Sequence, residues 1–206
     1  MSHYVSNRQN LVQVPVTVQR HTQPVGCNLV FGSMNVRSLS KLDLLLNDFC
    51  DRSLDVMLLC ETWHDSDSVP IRRFHADGFG VVERARPRPC RAEVSLTVNH
   101  GGVAIVAAAG TRLTVVDVDQ QPTTFEFIAA RVSSGSSSCI AVVIYHPGSS
   151  PVTYTFFTEL AELVDRLSTY VDPIVLAGDA NIRLERATDP HTAGFCDLFC
   201  GIATHP

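Results

Sequence analysis

At four places in this sequence, an apolar segment with the length of a β-strand ends in polar side chains. The polar residues are Asn35, Glu61, Tyr145 and the pair Asp179 and Asn181. If these strand ends converge on one cleft, they bring carboxylate, amide and phenol oxygens together. Hard oxygen donors of this kind suit Mg²⁺ or Mn²⁺. Because Mg²⁺ takes few protein ligands and retains water, such a site leaves room for a substrate phosphate.

The last of these segments is the most informative. Residues 174–177 form a short apolar run between Pro173 and Gly178, as in a buried strand. Gly178 permits a sharp turn or a close backbone approach. If Asp179 and Asn181 keep the strand's period of two, both side chains point to one face. The order Gly-Asp-x-Asn is equally good turn chemistry, so a turn and a site both remain open here.

Hydrophobic periodicity predicts the elements that must position these side chains. Strands are predicted at 29–34, 55–60, 79–82, 101–107, 115–119, 125–132, 139–144 and 174–177. Amphipathic helices are predicted at 40–51, starting at a capping box, at 151–170, starting at Ser150-Pro151, and at 192–200. A polar loop is predicted at 64–70 and a hairpin loop at 133–138. The strand–helix–strand unit at 29–60 indicates parallel strands, whereas the strands between 101 and 144 indicate antiparallel pairing.

The charge balance limits how this chain can bind nucleic acid. The net charge is −5 and the isoelectric point is about 5.9, which argues against binding through bulk positive charge. The main local basic feature is the proline-broken run at 83–91, with Arg84, Arg86, Arg88 and Arg91. This run is either a solvated surface loop or a patch that contacts phosphates.

The remaining features indicate a reduced, intracellular protein in the nucleus or cytoplasm. The seven cysteines include no C-x-x-C pair, and no apolar segment at the N-terminus resembles a secretory signal. Residues 1–25 are predicted to be a tail, because Pro15 interrupts their alternating valines, and residues 26–206 to be one domain. Trp63 is predicted to be structural rather than a base-stacking group. The histidines His64, His100 and His191 are predicted to be surface or loop residues.

Several short segments occur together in an informative order. They are Asn35 after its strand, then 58–63, 101–105, 145–148 and 176–181. With this set the chain resembles the endonuclease/exonuclease/phosphatase superfamily over residues 28–206. It is most similar to the apurinic-type endonuclease domain of non-LTR, LINE-like retrotransposons. The resemblance implies an α+β fold in which two sheets form a DNase I-like β-sandwich flanked by helices.

The resemblance also implies roles for the strand-end residues, with Mg²⁺ or Mn²⁺ as cofactor and DNA as substrate. Glu61 would be the principal metal ligand, and Asn35 would support the metal or a phosphate oxygen. Tyr145 would hydrogen-bond the scissile phosphate. Asp179 would orient or deprotonate the attacking water, and Asn181 would position the phosphate and stabilise developing charge. His146 stands where relatives vary and has no assigned catalytic role.

One part of the family pattern has no counterpart between residues 1 and 206. The superfamily carries further strands with another acidic residue and a closing Asp-His pair, whereas His205 comes too early and lacks the preceding Asp. We therefore expect a domain that is incomplete at its C-terminus, with impaired hydrolysis. It would be part of a parent protein that also carries a reverse transcriptase. The alternatives are an inactive retroelement-derived remnant that binds nucleic acid, or a phosphatase of the same superfamily acting on another phosphoester.

Overall fold

The computed structural model describes residues 29–87, 100–186 and 188–200. The predicted tail at 1–25 and the basic residues Arg88 and Arg91 lie outside these ranges. The first sheet contains β1 (Phe31–Asn35), β2 (Val56–Cys60), β3 (Gly80–Arg84) and β4 (Val103–Ala107) in the order β1-β2-β4-β3. The second contains β5 (Arg112–Val115), β6 (Glu126–Ser134), β7 (Ser137–Tyr145) and β8 (Ile174–Asp179) in the order β5-β6-β7-β8. The helices are α1 (Leu42–Asp51), α2 (Val69–Ala76), α3 (Tyr154–Leu167) and α4 (Pro190–Cys200).

Three apolar clusters stack these elements into four layers. Alternate side chains of β2 and β4 pack against alternate side chains of β6 and β7, so the two sheets lie face to face. The other face of the first sheet is covered by α1 and α2. The other face of the second sheet is covered by α3 and α4. The predicted α+β sandwich of two sheets flanked by helices is thus confirmed.

The pairing of β1 with β2 and of β6 with β5 and β7 has the predicted direction, whereas β4 pairs with β2 and β3 in the first sheet and not with the next strand, β5. Strands β1 and β2 are parallel and pair Asn35 with Cys60, and β7 and β8 are parallel and pair Tyr145 with Asp179. The pairs β2–β4, β3–β4, β5–β6 and β6–β7 are antiparallel. The turn between β6 and β7 lies within the predicted hairpin loop.

Helix starts are the least accurate part of the sequence predictions. The predicted loop at 64–70 contains the start of α2, which buries Ile71 and Phe74. The chain enters its first helical segment at Ser38 rather than at Ser40, because the Ser38 side chain accepts from the Ser40 amide. Helix α3 begins after Thr153 rather than at Ser150-Pro151, because the Thr153 hydroxyl caps the Phe156 amide.

Two strands also differ from the predictions. Strand β5 lies at 112–115, ahead of the Val/Asp alternation at 115–119. Strand β8 forms where predicted but is not buried, because β7 is its only strand neighbour among the described residues. Within the described ranges, no helix is long and apolar enough to cross a bilayer.

Candidate active site

Strand ends from both sheets meet at one edge of the sandwich. The Asn35 side chain lies at the end of β1 and donates from Nδ2 to Glu61 Oε1 at 2.8 Å and to Asp179 Oδ2 at 2.9 Å. Glu61 follows β2 directly, and Asp179 ends β8 in the other sheet. The Asn35 side chain therefore contacts a residue that lies 144 positions further along the chain, Asp179. Parallel register within each sheet, and face-to-face packing between the sheets, produce this convergence.

Glu61 is presented by a loop whose backbone is strained. Glu61 and Trp63 have φ values of 53° and 48°, a left-handed conformation that costs a non-glycine residue roughly 1–2 kcal/mol. Backbone hydrogen bonds from Thr62 to Gly102 at 3.2 Å and from Trp63 to Gly101 at 2.8 Å hold the loop. Strain of this kind persists only where surrounding contacts fix it, as these do.

The loop is also held from beneath by His64, which the sequence predicted to be a surface or loop residue. The His64 side chain is buried, with Nδ1 at 2.6 Å from Thr62 Oγ1 and Nε2 at 2.9 Å from Glu83 Oε2. Gly102 makes room for this arrangement, because a Cβ there would lie 2.5 Å from Thr62 Oγ1. The paired glycines before β4 were the one signal in the sequence that something packs closely at this point.

Asp179 and Asn181 form a turn and a site at once. The Asn181 amide donates to Asp179 Oδ1 at 2.9 Å, and its φ of 51° ends the strand period at Asp179. The Asn181 side chain donates from Nδ2 to the His146 carbonyl at 2.7 Å, which ties the end of β8 to the end of β7. Each carboxylate oxygen of Asp179 thus accepts a hydrogen bond, and these two bonds fix the orientation of the carboxylate.

Tyr145 lies at the end of β7 and is almost fully buried. Burial is the main cause that raises the pKa of its hydroxyl, and the charge of Glu61 and a hydrogen bond to that carboxylate add to the effect. The Arg86 guanidinium lies 5.6 Å from the centre of the Tyr145 ring, and its positive charge acts to lower this pKa. Since the pKa is raised overall, Tyr145 is a neutral hydrogen-bond donor at physiological pH.

The two described arginines of the basic run have partners within the protein. Arg86 forms an ion pair with Glu126, whose other oxygen accepts from the Gly102 amide at 2.6 Å. Arg84 is exposed and places its guanidinium 5.1 Å from the centre of the Phe127 ring. Arg86 therefore supports Tyr145 and the loop at Gly102, while Arg84 stays accessible to solvent.

Carboxylates surround the buried Cys60 thiol at the end of β2. Burial raises the pKa of this thiol, and the charges of Asp179, Glu61 and Glu126 raise it further. Glu126 is paired with Arg86, which leaves the carboxylates of Glu61 and Asp179 to favour a cation at the strand ends.

The carboxylate oxygens at the candidate site suit a hard divalent cation as ligands. Among the described residues, no group of three or more His, Cys, Asp or Glu side chains could enclose a metal. The two carboxylates of Glu61 and Asp179 instead meet at the Asn35 amide. Mg²⁺ is usually held by one or two carboxylates together with water, so this set suits Mg²⁺ or Mn²⁺ better than Zn²⁺, which prefers nitrogen and sulfur.

A groove of about 800 Å³ lies beside the site, between β1, β8 and α4. It shares Asn35 and Asp179 with the site but not Glu61, Tyr145 or Asn181. Most of its other lining residues are apolar, among them Leu176, Phe195 and Phe199. The groove is therefore a neighbour of the polar site and not the site itself.

The other histidines are spread over the fold. His146 is buried, and its ring meets the Phe156 ring edge-on with centres 4.9 Å apart. Burial lowers the pKa of His146, and the Pro151 backbone and the charge of Asp179 oppose this shift without reversing it. His100 is exposed, and His191 is exposed at the start of α4.

Comparison with solved structures shows the fold. The chain superposes on a 3′ phosphatase, NExo, from Neisseria in complex with product DNA hairpin, at a TM-score of 0.59 and 22% identity, covering 84% of this chain and 71% of that one. An AP endonuclease from Archaeoglobus fulgidus gives a TM-score of 0.55 and 20% identity, covering 79% and 60%. The endonuclease domain of TRAS1, a telomere-specific non-LTR retrotransposon, gives 0.59 and 13%, covering 86% and 72%.

Sequence comparisons give no match: no model of a known protein family fits the chain, and no curated protein is similar to it. The structural likeness confirms the predicted resemblance to the endonuclease/exonuclease/phosphatase superfamily at the level of the fold. The chain has the DNase I-like architecture of these proteins.

Proposed function

We propose that this chain hydrolyses phosphodiester bonds in DNA with Mg²⁺ or Mn²⁺, in the manner of a retrotransposon endonuclease and at the impaired rate that the sequence predicts. The observation that carries the proposal is the Asn35 amide, which joins Glu61 from one sheet to Asp179 from the other. Two carboxylates that meet at the strand ends are suited to a cation that binds phosphate. The fold adds support, because proteins of this architecture include an AP endonuclease and a retrotransposon endonuclease domain.

Glu61 and Asn35 would hold the cation, which when bound stabilises negative charge on the phosphate oxygens. Asp179 would orient the attacking water and take its proton, since Asn35 and the Asn181 amide already fix its carboxylate. A positioned general base contributes roughly 10²- to 10⁴-fold to the rate. The Tyr145 hydroxyl stays protonated and would donate a hydrogen bond to the scissile phosphate. The water oxygen would bond to phosphorus as the P–O3′ bond breaks, and the 3′ oxygen would take a proton from solvent, which gives a 5′-phosphate and a 3′-hydroxyl at the nick.

The test is nicking of supercoiled DNA by residues 1–206 under single-turnover conditions, with Mg²⁺ or with EDTA. We expect nicking with Mg²⁺ only. Glu61→Gln should lower the nicking rate at least about 100-fold, because the change keeps the side-chain size and removes the charge that binds the cation. Glu162→Gln, on the exposed face of α3, is the matched control and should behave as wild type. Nicking in EDTA, or equal nicking by Glu61→Gln, would contradict the proposal.

A second candidate is removal of a phosphate group from DNA 3′ ends. It is favoured by the similarity of the fold to a 3′ phosphatase that was solved with product DNA. The same strand-end residues could serve both reactions, because each breaks a P–O bond to a DNA oxygen. Release of phosphate from a 3′-phosphorylated oligonucleotide, faster than nicking of intact DNA, would assign this activity instead. DNA binding without either reaction would indicate an inactive remnant.

A further inference from the structure

We propose that Trp63 and His100 form an aromatic platform on which an unpaired nucleobase stacks beside the bond to be cleaved. The inference rests on DNA being the substrate. The two rings are stacked, with centres 4.1 Å apart and planes 10° apart. Trp63 is half-buried and His100 is exposed, so the stack begins in the protein and ends at the solvent. Flat aromatic surfaces of this kind bind bases in proteins that hold single-stranded nucleic acid.

The platform adjoins the candidate active site through a short series of contacts. The Trp63 amide donates to the Gly101 carbonyl at 2.8 Å, and His100 precedes Gly101 in the chain. The Arg86 side chain fills the space beside Gly101, where a Cβ would collide with its guanidinium. That guanidinium lies over the Tyr145 ring. These contacts join the loop that carries the platform to Tyr145, so a base on the platform would lie on the side of the site where the phosphate meets Tyr145.

The Trp63 ring is held by stacking rather than by a hydrogen bond. Its indole Nε1 is buried and has no hydrogen-bond partner in the part of the chain that the structure describes. A buried indole N–H usually has a partner, so this one calls for a reason. The residue also adopts a φ of 48°, which the loop from Glu61 to His64 maintains against strain. The loop thus holds the flat face of the Trp63 ring against the His100 ring.

The charge of the protein gives a reason for such a platform. With a net charge of −5, the chain lacks the bulk positive charge through which many proteins hold DNA. Stacking on an aromatic ring does not depend on charge and tolerates any base. The base must leave the helix to reach a ring face, so the platform selects DNA with an unpaired or frayed nucleotide at the cleavage position.

Trp63 provides its own probe, because it is the only tryptophan in the 206 residues. We would titrate wild-type residues 1–206 with a thymidine oligonucleotide in EDTA, where no hydrolysis occurs, and follow Trp63 emission. The matched ligand has the same phosphate backbone but abasic spacers in place of the bases. The platform predicts quenching by the thymidine oligonucleotide and weaker, unquenched binding of the spacer oligonucleotide. Equal affinity and equal emission with both ligands would overturn the proposal.

Substitution of His100 separates stacking from a structural role. His100→Ala should weaken binding of the thymidine oligonucleotide by about 5-fold or more, the scale of one stacked base, and leave binding of the spacer oligonucleotide unchanged. His100→Phe restores an aromatic ring and should restore the preference. His75→Ala, at an exposed histidine of α2, is the control and should match wild type. An unchanged preference in His100→Ala would overturn the proposal.

Failure of the platform and failure of the proposed hydrolysis have different signatures. Nicking that depends on Mg²⁺ and on Glu61, without a preference for base-bearing DNA, overturns the platform alone. Base-dependent quenching without nicking supports the platform and overturns the hydrolase. Absence of any DNA binding by wild type overturns the platform.

Discussion

Strands β7 and β8 lie side by side in parallel register and both end at the candidate site, yet they differ in burial. Ile140 in β7 pairs with Ile174 in β8, and these side chains are 0% and 37% exposed. Strand β7 lies between β6 and β8, with the first sheet on one face and α3 on the other. Strand β8 has β7 alone as strand neighbour among the described residues. The two strands are thus similarly apolar in sequence, but fewer elements pack around β8 than around β7.

At Gly178 there is no room for a side chain between β8 and β7, and a substitution there should have the largest effect on stability. Gly178 has a φ of 134°, and a Cβ there would collide with the Ile144 carbonyl. We expect Gly178→Ala to cost on the order of 4 kcal/mol or more, because both the strain and the collision separate β8 from β7. Urea unfolding measures the change.

Gly135 in the hairpin turn is the matched control for that substitution. It also has a positive φ, of 56°, but open space where a Cβ would stand. Gly135→Ala should therefore cost only the conformational strain, about 1–2 kcal/mol. Equal losses for the two alanine variants would show that β8 does not pack against β7 as described.

The paired isoleucines measure the difference between the strands directly. We expect Ile140→Ala to destabilise the protein by about 3–4 kcal/mol, since it opens a cavity in the core. Ile174→Ala should cost under about 1 kcal/mol, because the side chain is already partly in water. Thermal or urea unfolding of the two variants gives the comparison. Similar losses would mean that β8 is as well covered as β7.

His146, which follows β7, should make stability depend on pH. Burial lowers its pKa in the folded protein below the ordinary value of 6.5, so the unfolded chain binds a proton that the folded chain resists. The free energy of unfolding should therefore decrease as pH falls below about 6.5, through the window down to the lowered pKa. His146→Phe keeps the ring contact with Phe156 and removes the titration. Unfolding curves for this variant should lose that part of the pH dependence, and an unchanged dependence would exclude His146 as its source.

The sequence was sufficient for most of the strands and for the residues that meet at their ends. Asn35, Glu61 and Asp179 stand out because a polar side chain directly after an apolar strand lies at the edge of a sheet. Parallel register then brings such edges together. The type of residue at a strand end depends only on the neighbouring sequence, so local patterns predict it well.

The remaining features depend on distant parts of the chain. The burial of His64 follows from Glu83, and the exposure of β8 follows from which strands lie beside it. Helix α2 has only Ile71 and Phe74 as a buried face, too short a pattern to separate it from a loop. The sequence left Arg86 either solvated or in contact with phosphates, because nothing near it in the sequence predicts its pairing with Glu126.

We expect Glu61, with Asn35, to hold a divalent cation, and the neighbouring Asp179 carboxylate from the other sheet to add negative charge beside it. Binding of Mn²⁺ to residues 1–206, measured from the electron paramagnetic resonance of the free ion, tests it without any assumption about substrate. We predict one site in wild type and in the control Glu162→Gln. Affinity should be at least about 10-fold weaker in Glu61→Gln, which loses the charged ligand, and in Asp179→Asn, which loses a carboxylate beside the ion, because even the loss of an outer-shell partner costs about that much. Mn²⁺ binding that is the same in all four proteins, or absent from wild type, would contradict the account.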